Sequence, residues 1–144
     1  SMKQPFSFIC ADLKDISNYA IVSNYAYKTM RRMLPGPYTF ILEATRLVPK
    51  ILLTKRKTVG IRVPDNEICL SIVRELGHPI ISTSVTTGDE ILSDPAEIEK
   101  KYGRAVDLVI DGGILATEKS SVVSLVNDIP EVIRVGKGDV SLFQ

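Results

Sequence analysis

The stretch KRKTVGIRVP, residues 55–64, is the segment around which the fold is predicted. Its pattern predicts a strand with one apolar and one polar side. Its residues alternate with the two-residue period of a strand. One side would bury Val59, Ile61 and Val63. The other side would present Thr58, Gly60 and Arg62, a hydroxyl and a guanidinium around a residue with no side chain. We expect an anion-binding surface there, because a glycine lets a ligand approach the backbone. A half-buried strand with a solvated polar face is the alternative.

The composition describes an ordinary globular chain of 144 residues with a formal net charge of +1. This length fits one domain, predicted over residues 3–144, and the small charge gives no global attraction to nucleic acid or membrane. Ser1 and Met2 are interpreted as a remnant of tag cleavage. Cys10 and Cys69 lie in apolar contexts without metal-ligand spacing. We therefore expect buried thiols, no metal site, no membrane span and a cytoplasmic location.

Strand and helix patterns alternate along the chain and predict an α/β protein. Strands are predicted at residues 6–10, 38–44, 58–63, 79–85, 106–110, 121–126 and 131–135. Helices are predicted after Ser23, after Asp65 or Asn66, and after Asp94. A strand–helix–strand unit followed by hairpin-spaced strands favours a twisted, mixed parallel and antiparallel sheet flanked by helices over a fully parallel one.

The side chains that could perform chemistry are mainly hydrogen-bond donors. The single histidine, His78, precedes Pro79 and is predicted to be structural or solvated, and Asp111 before two glycines is predicted to form a turn. We assign no catalytic residue. Hydroxyls and guanidiniums remain at predicted strand ends: Thr58, Arg62, Ser82, Ser84, Ser120, Ser121 and Arg134. Such a set suits a site that holds phosphate and carboxylate groups and acts by positioning them, although each hydroxyl alone could make an ordinary strand-end hydrogen bond.

Several segments in register carry a family resemblance. They are LPGPYTFIL at 34–42, KRKTVGIRVPDN at 55–66, PIISTS at 79–84, VDLVIDGG at 106–113, SSVVSL at 120–125 and VIRVGKGDV at 132–140. On these segments the chain resembles the YrdC/YciO family from Pro5 to Phe143, and its KRKT form is closest to the YciO branch. The resemblance implies the YrdC-like twisted sheet.

The resemblance also implies a function. Members of the family are threonylcarbamoyl-AMP synthases, nucleotidyltransferases that condense L-threonine, bicarbonate and ATP with release of pyrophosphate, for a tRNA adenosine modification. ATP with magnesium would be a substrate, and no tightly bound cofactor is implied. At matching positions the nucleotide would be bound by Thr58, Ser84 and Arg134. The threonine would be bound by Arg62, Ser82 and Ser120.

Two departures from the family pattern leave alternatives open. The usual Ser-Ala-Asn motif reads Ser84-Val85-Thr86, and a strand resembling PTDTVYGLG does not precede Lys3-Gln4-Pro5. We therefore expect an N-terminally truncated domain that retains the nucleotide half of the site and would need the missing segment for catalysis. The alternatives are a double-stranded RNA or tRNA-binding module that uses Lys55, Arg56 and Lys57, and an inactive remnant. Exposed sheet edges would favour homo-oligomers.

Overall fold

The computed structural model describes residues 6–14, 16–87, 90–115 and 118–144. The tag remnant predicted at Ser1 and Met2, and the residues Lys3-Gln4-Pro5, lie outside these ranges. The chain divides into a larger unit, Ser1–Thr83 with Ser120–Gln144, and a smaller unit, Ser84–Lys119. The single domain over residues 3–144 stays a prediction.

The regular elements follow the predicted order closely. The strands are β1 Ser7–Ile9, β2 Tyr38–Glu43, β3 Thr58–Arg62, β4 Ile80–Ser82, β5 Thr86–Thr87, β6 Glu90–Ile91, β7 Ser121–Ser124 and β8 Glu131–Arg134. The helices are α1 Asn24–Met33, α2 Glu67–Leu76 and α3 Pro95–Tyr102. Short 3₁₀ turns occur at Ile16–Asn18, Lys50–Leu52, Val126–Asp128 and Ser141–Phe143.

The larger unit contains one six-stranded sheet in the order β4-β1-β3-β2-β7-β8. Two strand pairs are parallel, β1 with β3 and β2 with β7. The other three pairs are antiparallel. The predicted α/β fold with a mixed sheet is therefore confirmed, and β3 and β2 lie at its centre.

The two faces of β3 differ as its sequence predicts. Val59 and Ile61 are buried at 4% and 0% exposure, in a core with Phe40 of β2 and Met30 of α1. Thr58, Gly60 and Arg62 are only half-buried. We call the side of the sheet that carries these three residues the polar face. It holds the candidate site.

Local capping explains where the helices begin and end. The Ser23 hydroxyl accepts a hydrogen bond from the Ala26 amide at 3.0 Å, and the Asn66 side chain accepts one from the Cys69 amide at 3.1 Å. Both contacts satisfy amides that have no partner inside the helix. Gly77 ends α2 with a φ of 79°, which glycine adopts without steric cost. These predicted boundaries are confirmed.

Some predicted elements are wrong. Residues 106–110 form no strand among the described residues, and their side chains are largely exposed, with Leu108 at 75%. A short apolar run becomes a strand only where another strand pairs with it, and no described segment pairs with residues 106–110. The predicted strands include none at residues 86–93, where the two-stranded pair of β5 and β6 lies. Of the two thiols predicted as buried, Cys10 is buried and Cys69 is only half-buried.

Candidate functional site

Arg62, the last residue of β3, is the least satisfied side chain of the polar face. Its Nε atom is buried and has no hydrogen-bond partner among the residues that the structure describes. Burial lowers the pKa of Arg62, the nearby Cys69 raises it, and the positive charge of Arg134 lowers it further. A guanidinium stays protonated in proteins in spite of such a shift. Arg62 is therefore a cation beside a second cation.

Arg134, the last residue of β8, is fixed by the start of β7. Its Nε and Nη2 atoms donate to the backbone oxygen of Ser120 at 3.0 and 2.8 Å, and Nη2 also donates to the Ser120 hydroxyl at 3.2 Å. A register shift between Val122 and Val123 marks a bulge in the β7–β8 pair, which redirects side chains at such positions. Partial burial lowers the pKa of Arg134. These contacts involve only Nε and Nη2, so part of the guanidinium has no hydrogen bond to the described residues.

Thr39 completes this side of the site, although the sequence analysis missed it. Its hydroxyl lies 2.8 Å from the Ser120 hydroxyl, and its side chain is 7% exposed. The available signal was a hydroxyl residue between two core aromatics, Tyr38 and Phe40, in a strand where alternate residues face opposite sides.

Gly60 lies on the polar face in a space that is narrow for a side chain. A Cβ atom on Gly60 would lie 3.0 Å from the Ser7 hydroxyl oxygen and 3.1 Å from the Thr39 methyl carbon. The side chains of Ser7 and Thr39 therefore occupy the space beside Gly60, and close approach of a ligand to its backbone stays a prediction. Ser82 lies across β1 from Gly60, and its hydroxyl donates to the Ser7 backbone oxygen at 3.3 Å. Ser82 thus makes the ordinary strand-end hydrogen bond that was its alternative role.

Thr58 lies at the opposite end of β3, four residues or about 13 Å from Arg62. Its hydroxyl is 2.8 Å from the Thr54 hydroxyl. Thr58 lines a groove of about 530 Å³, which we call the basic groove. The groove is also lined by Ile41, Thr54, Lys55, Arg56, Ser124, Val126, Ile129, Glu131 and Ile133. Lys57, also predicted to bind RNA, turns the chain into β3 with a φ of 58°. The lining therefore combines apolar side chains with two cations and one carboxylate.

The remaining predicted residues lie elsewhere or bind internally. Ser84 belongs to the smaller unit, where it is exposed, and its role in nucleotide binding stays a prediction. Ser121 is fully buried, and its hydroxyl donates to the Gly138 oxygen at 2.6 Å. His78 is exposed, with Nδ1 2.9 Å from the Pro79 oxygen. The Asp111 carboxylate accepts from the Gly113 amide at 2.8 Å, which confirms the predicted turn.

Other classes of site find little support in the described part of the chain. No group of three or more histidine, cysteine, aspartate or glutamate side chains could hold a metal ion there. No helix among the described residues has the length and apolar character needed to cross a bilayer. The polar face offers donors and positive charge, which suit phosphate and carboxylate oxygens.

The fold and site together define an α/β domain with a mixed six-stranded sheet and a cationic polar face. The family model Sua5_yciO_yrdC, described as "Telomere recombination", matches residues 1–136. The chain belongs to this family, as the resemblance in the sequence predicts.

Relatives agree with this membership. The chain is 45% identical over 141 residues to YciO of Escherichia coli (strain K12), an alignment that covers 96% of this chain and 68% of that protein. The crystal structure of E. coli YciO matches with a TM-score of 0.92, covering 97% of this chain and 69% of that one at 43% identity.

Two further matches concern threonylcarbamoyl-AMP synthase and Sua5. The threonylcarbamoyl-AMP synthase of Idiomarina loihiensis is 38% identical over 78 residues, which cover 54% of this chain and 42% of that protein. The crystal structure of P. abyssi Sua5 complexed with L-threonine has a TM-score of 0.84 at 24% identity, covering 92% of this chain and 40% of that one. This second match shows a shared fold.

Proposed function

We propose that the polar face of the larger unit binds a carboxylate and a nucleotide, as part of a site of the threonylcarbamoyl-AMP synthase type. One observation carries the proposal. Arg62 and Arg134 interact electrostatically on this face, and no acidic side chain pairs with either of them among the described residues. Arg62 is half-buried and Arg134 is exposed, and two such like charges on one face without a counter-charge favour the binding of an anion.

The proposed roles are those that the family resemblance implies for the two guanidiniums. Arg62, with Ser120 hydrogen-bonded to the neighbouring Thr39 and Ser82 two strands away, would bind the carboxylate of L-threonine. Arg134 would bind the nucleotide. A planar guanidinium binds two oxygens of one carboxylate or phosphate at once, which fixes the orientation of the group.

Thr58 and the basic groove would receive the other end of the nucleotide. The groove is lined by apolar side chains such as Ile41 and Ile133, by the cations Lys55 and Arg56, and by the carboxylate of Glu131. A site for a base and ribose requires such apolar surface with few polar groups. The distance of about 13 Å from Thr58 to Arg62 suits an extended ligand that reaches from the groove to the guanidiniums.

The reaction proposed for the complete site needs no acid–base residue from this chain. L-threonine and bicarbonate would give a carbamate with loss of water, the carbamate oxygen would attack the α-phosphorus of ATP, and pyrophosphate would leave. Magnesium would enter as a complex with ATP and would offset part of the phosphate charge. The contribution of this chain is to hold the carboxylate and the phosphate in line and to stabilise negative charge on the transferred group.

Calorimetry tests the proposal with L-threonine and with ATP and magnesium as separate ligands. We expect Arg62→Ala to weaken L-threonine binding, and Arg134→Ala to weaken ATP binding, each by about 10- to 100-fold, because each removes a charge-assisted hydrogen bond. The control is Arg74→Ala, which removes an exposed arginine of α2 that pairs with Glu67 at 3.0 Å. Binding that is unaffected by Arg62→Ala and Arg134→Ala would contradict the proposal.

A second candidate function is RNA binding through the rim of the basic groove. Lys55, Arg56 and Lys57 are exposed at one turn, and contacts of lysine and arginine with phosphates dominate the affinity for duplex RNA. Affinity for a short RNA duplex should then fall steeply between low and moderate salt, and the slope should be smaller in Lys55→Ala/Arg56→Ala. Lys100→Ala, an exposed lysine of α3, is the control. Affinity that is independent of salt would exclude this function.

A further inference from the structure

The packing of Thr39 does not require its hydroxyl group. It is 7% exposed in β2, a central strand of the sheet, where valine has the same shape and β-branching. A buried hydroxyl is costly unless it forms a hydrogen bond. The bond that Thr39 forms is to the Ser120 hydroxyl, at 2.8 Å across the β2–β7 pair. The Thr39 hydroxyl is therefore present to form a hydrogen bond with the Ser120 hydroxyl.

A count of protons shows what this pair offers to a ligand. Arg134 can only donate, so the Ser120 oxygen accepts from its Nη2 atom at 3.2 Å. Thr39 and Ser120 together have two hydroxyl protons, and one of them lies in the bond between the two oxygens. The other proton has no acceptor among the residues that the structure describes. The pair thus presents one free donor next to the guanidinium of Arg134.

The sheet register places Thr39 between the two arginines. β2 and β3 pair Phe40 with Ile61, so the next position places Thr39 opposite Arg62. On its other side Thr39 pairs with Val122 of β7. Val122 in turn pairs with Arg134 of β8. These four residues form one row across the sheet, in which Thr39 contacts Ser120 between the two cations.

We propose that Thr39 is a positioning residue for the carboxylate site. Its hydroxyl holds the Ser120 hydroxyl in one rotamer, so that the Ser120 hydroxyl is oriented before the ligand arrives, next to an Arg134 that the Ser120 backbone oxygen fixes. The ligand in this inference rests on the proposed function. The orientation of Ser120 is a property of the free protein, and it is tested without any ligand.

The first measurement uses the free protein and two variants of Thr39. Thr39→Val keeps the shape and removes the hydroxyl, whereas Thr39→Ser keeps the hydroxyl and removes the methyl group. The χ1 angle of Ser120 is read from its Hα–Hβ scalar couplings by NMR. We expect one rotamer in the wild type and in Thr39→Ser, and averaging over rotamers in Thr39→Val. A single unchanged rotamer in Thr39→Val would overturn the proposal, whether or not the protein binds L-threonine.

The second measurement is the affinity for L-threonine. Thr39→Val should weaken binding about fivefold, the effect of one ordinary hydrogen bond, and Thr39→Ser should stay within twofold of the wild type. Thr39→Val should add little in a Ser120→Ala background, because both changes interrupt the same contact. Equal losses in Thr39→Val and Thr39→Ser would assign the effect to packing and overturn the positioning role. Absence of L-threonine binding by the wild type would count against the proposed function, and the rotamer measurement would then decide the role of Thr39.

Discussion

Gly138 offers a sharp test of how the segment after Arg134 is held. A Cβ atom at this position would lie 2.5, 2.7 and 2.8 Å from three ring carbons of Tyr38, where carbon atoms in contact are normally about 3.5 to 4.0 Å apart. The ring cannot easily move away. Tyr38 is 7% exposed, stacks on Phe40 with centroids 5.8 Å apart, and donates from its hydroxyl to the Asp139 oxygen at 2.9 Å.

Gly138→Ala should therefore destabilise the protein. Forcing an extra methyl group into a packed site costs roughly 1 to 3 kcal/mol, and the lower entropy of the unfolded alanine chain offsets about 0.4 to 1 kcal/mol of it. We expect a net loss of roughly 1 to 2 kcal/mol in the free energy of unfolding, measured by urea denaturation with an unchanged m-value.

Two comparisons separate this steric cost from other effects. Gly77→Ala is the control, because a Cβ there would meet nothing within 4 Å and its cost comes from the φ of 79°. In a Tyr38→Leu background the ring atoms are gone, so Gly138→Ala should cost much less while Gly77→Ala should cost the same. A Gly138→Ala protein as stable as the wild type, or an equal cost in both backgrounds, would refute the reasoning.

Other contacts give further predictions. Ser121→Ala should cost roughly 2 kcal/mol in urea denaturation, because the Ser121 hydroxyl donates to the Gly138 oxygen at 2.6 Å and accepts from the Gly136 amide at 2.9 Å; an unchanged midpoint would contradict this. Burial, with a smaller contribution from Asp12, raises the pKa of Cys10 from 9.0 to about 12, so the thiol favours the folded state below pH 9 and this contribution is lost as the pH rises towards 12. Stability should then fall by at most about 1.4 kcal/mol per pH unit in that window, and Cys10→Ala should remove that part of the slope. In the native protein Cys69 should react with a disulfide reagent much faster than Cys10, and equal rates would contradict the observed burial.

The capping residues in the sequence predicted the helices well. The strands were harder to predict, because a strand also depends on which other strand pairs with it. Ser23, Asn66 and Asp94 cap the three helices through bonds to amides at most three residues away, so the sequence contains both partners. β4 pairs antiparallel with β1, more than seventy positions earlier in the chain, and no local pattern specifies that choice. The strand predicted at residues 106–110 is wrong for the same reason, because no described strand pairs with this apolar segment.

The sequence predicted those residues of the candidate site whose direction depends only on the alternation of side chains along a strand. Arg62 lies on the polar face of β3 as the two-residue period requires. The fixing of Arg134 by Ser120 depends on a bulge and on side-chain rotamers, which the sequence does not reveal. Thr39 escaped notice because its neighbours are apolar, and its partner lies 81 positions away.

The separation of these contacts along the chain also orders their formation during folding. Arg134 and Ser120 are 14 positions apart in one hairpin, whereas Thr39 and Ser120 meet only through the parallel β2–β7 pair. Closing the longer loop has the larger entropic cost, and parallel pairing is intrinsically slow. The guanidinium contact can therefore form early, and the hydroxyl pair forms only when the two halves of the sheet join. We therefore expect the polar face to form late in folding, and ligands that require it to bind only the fully assembled sheet.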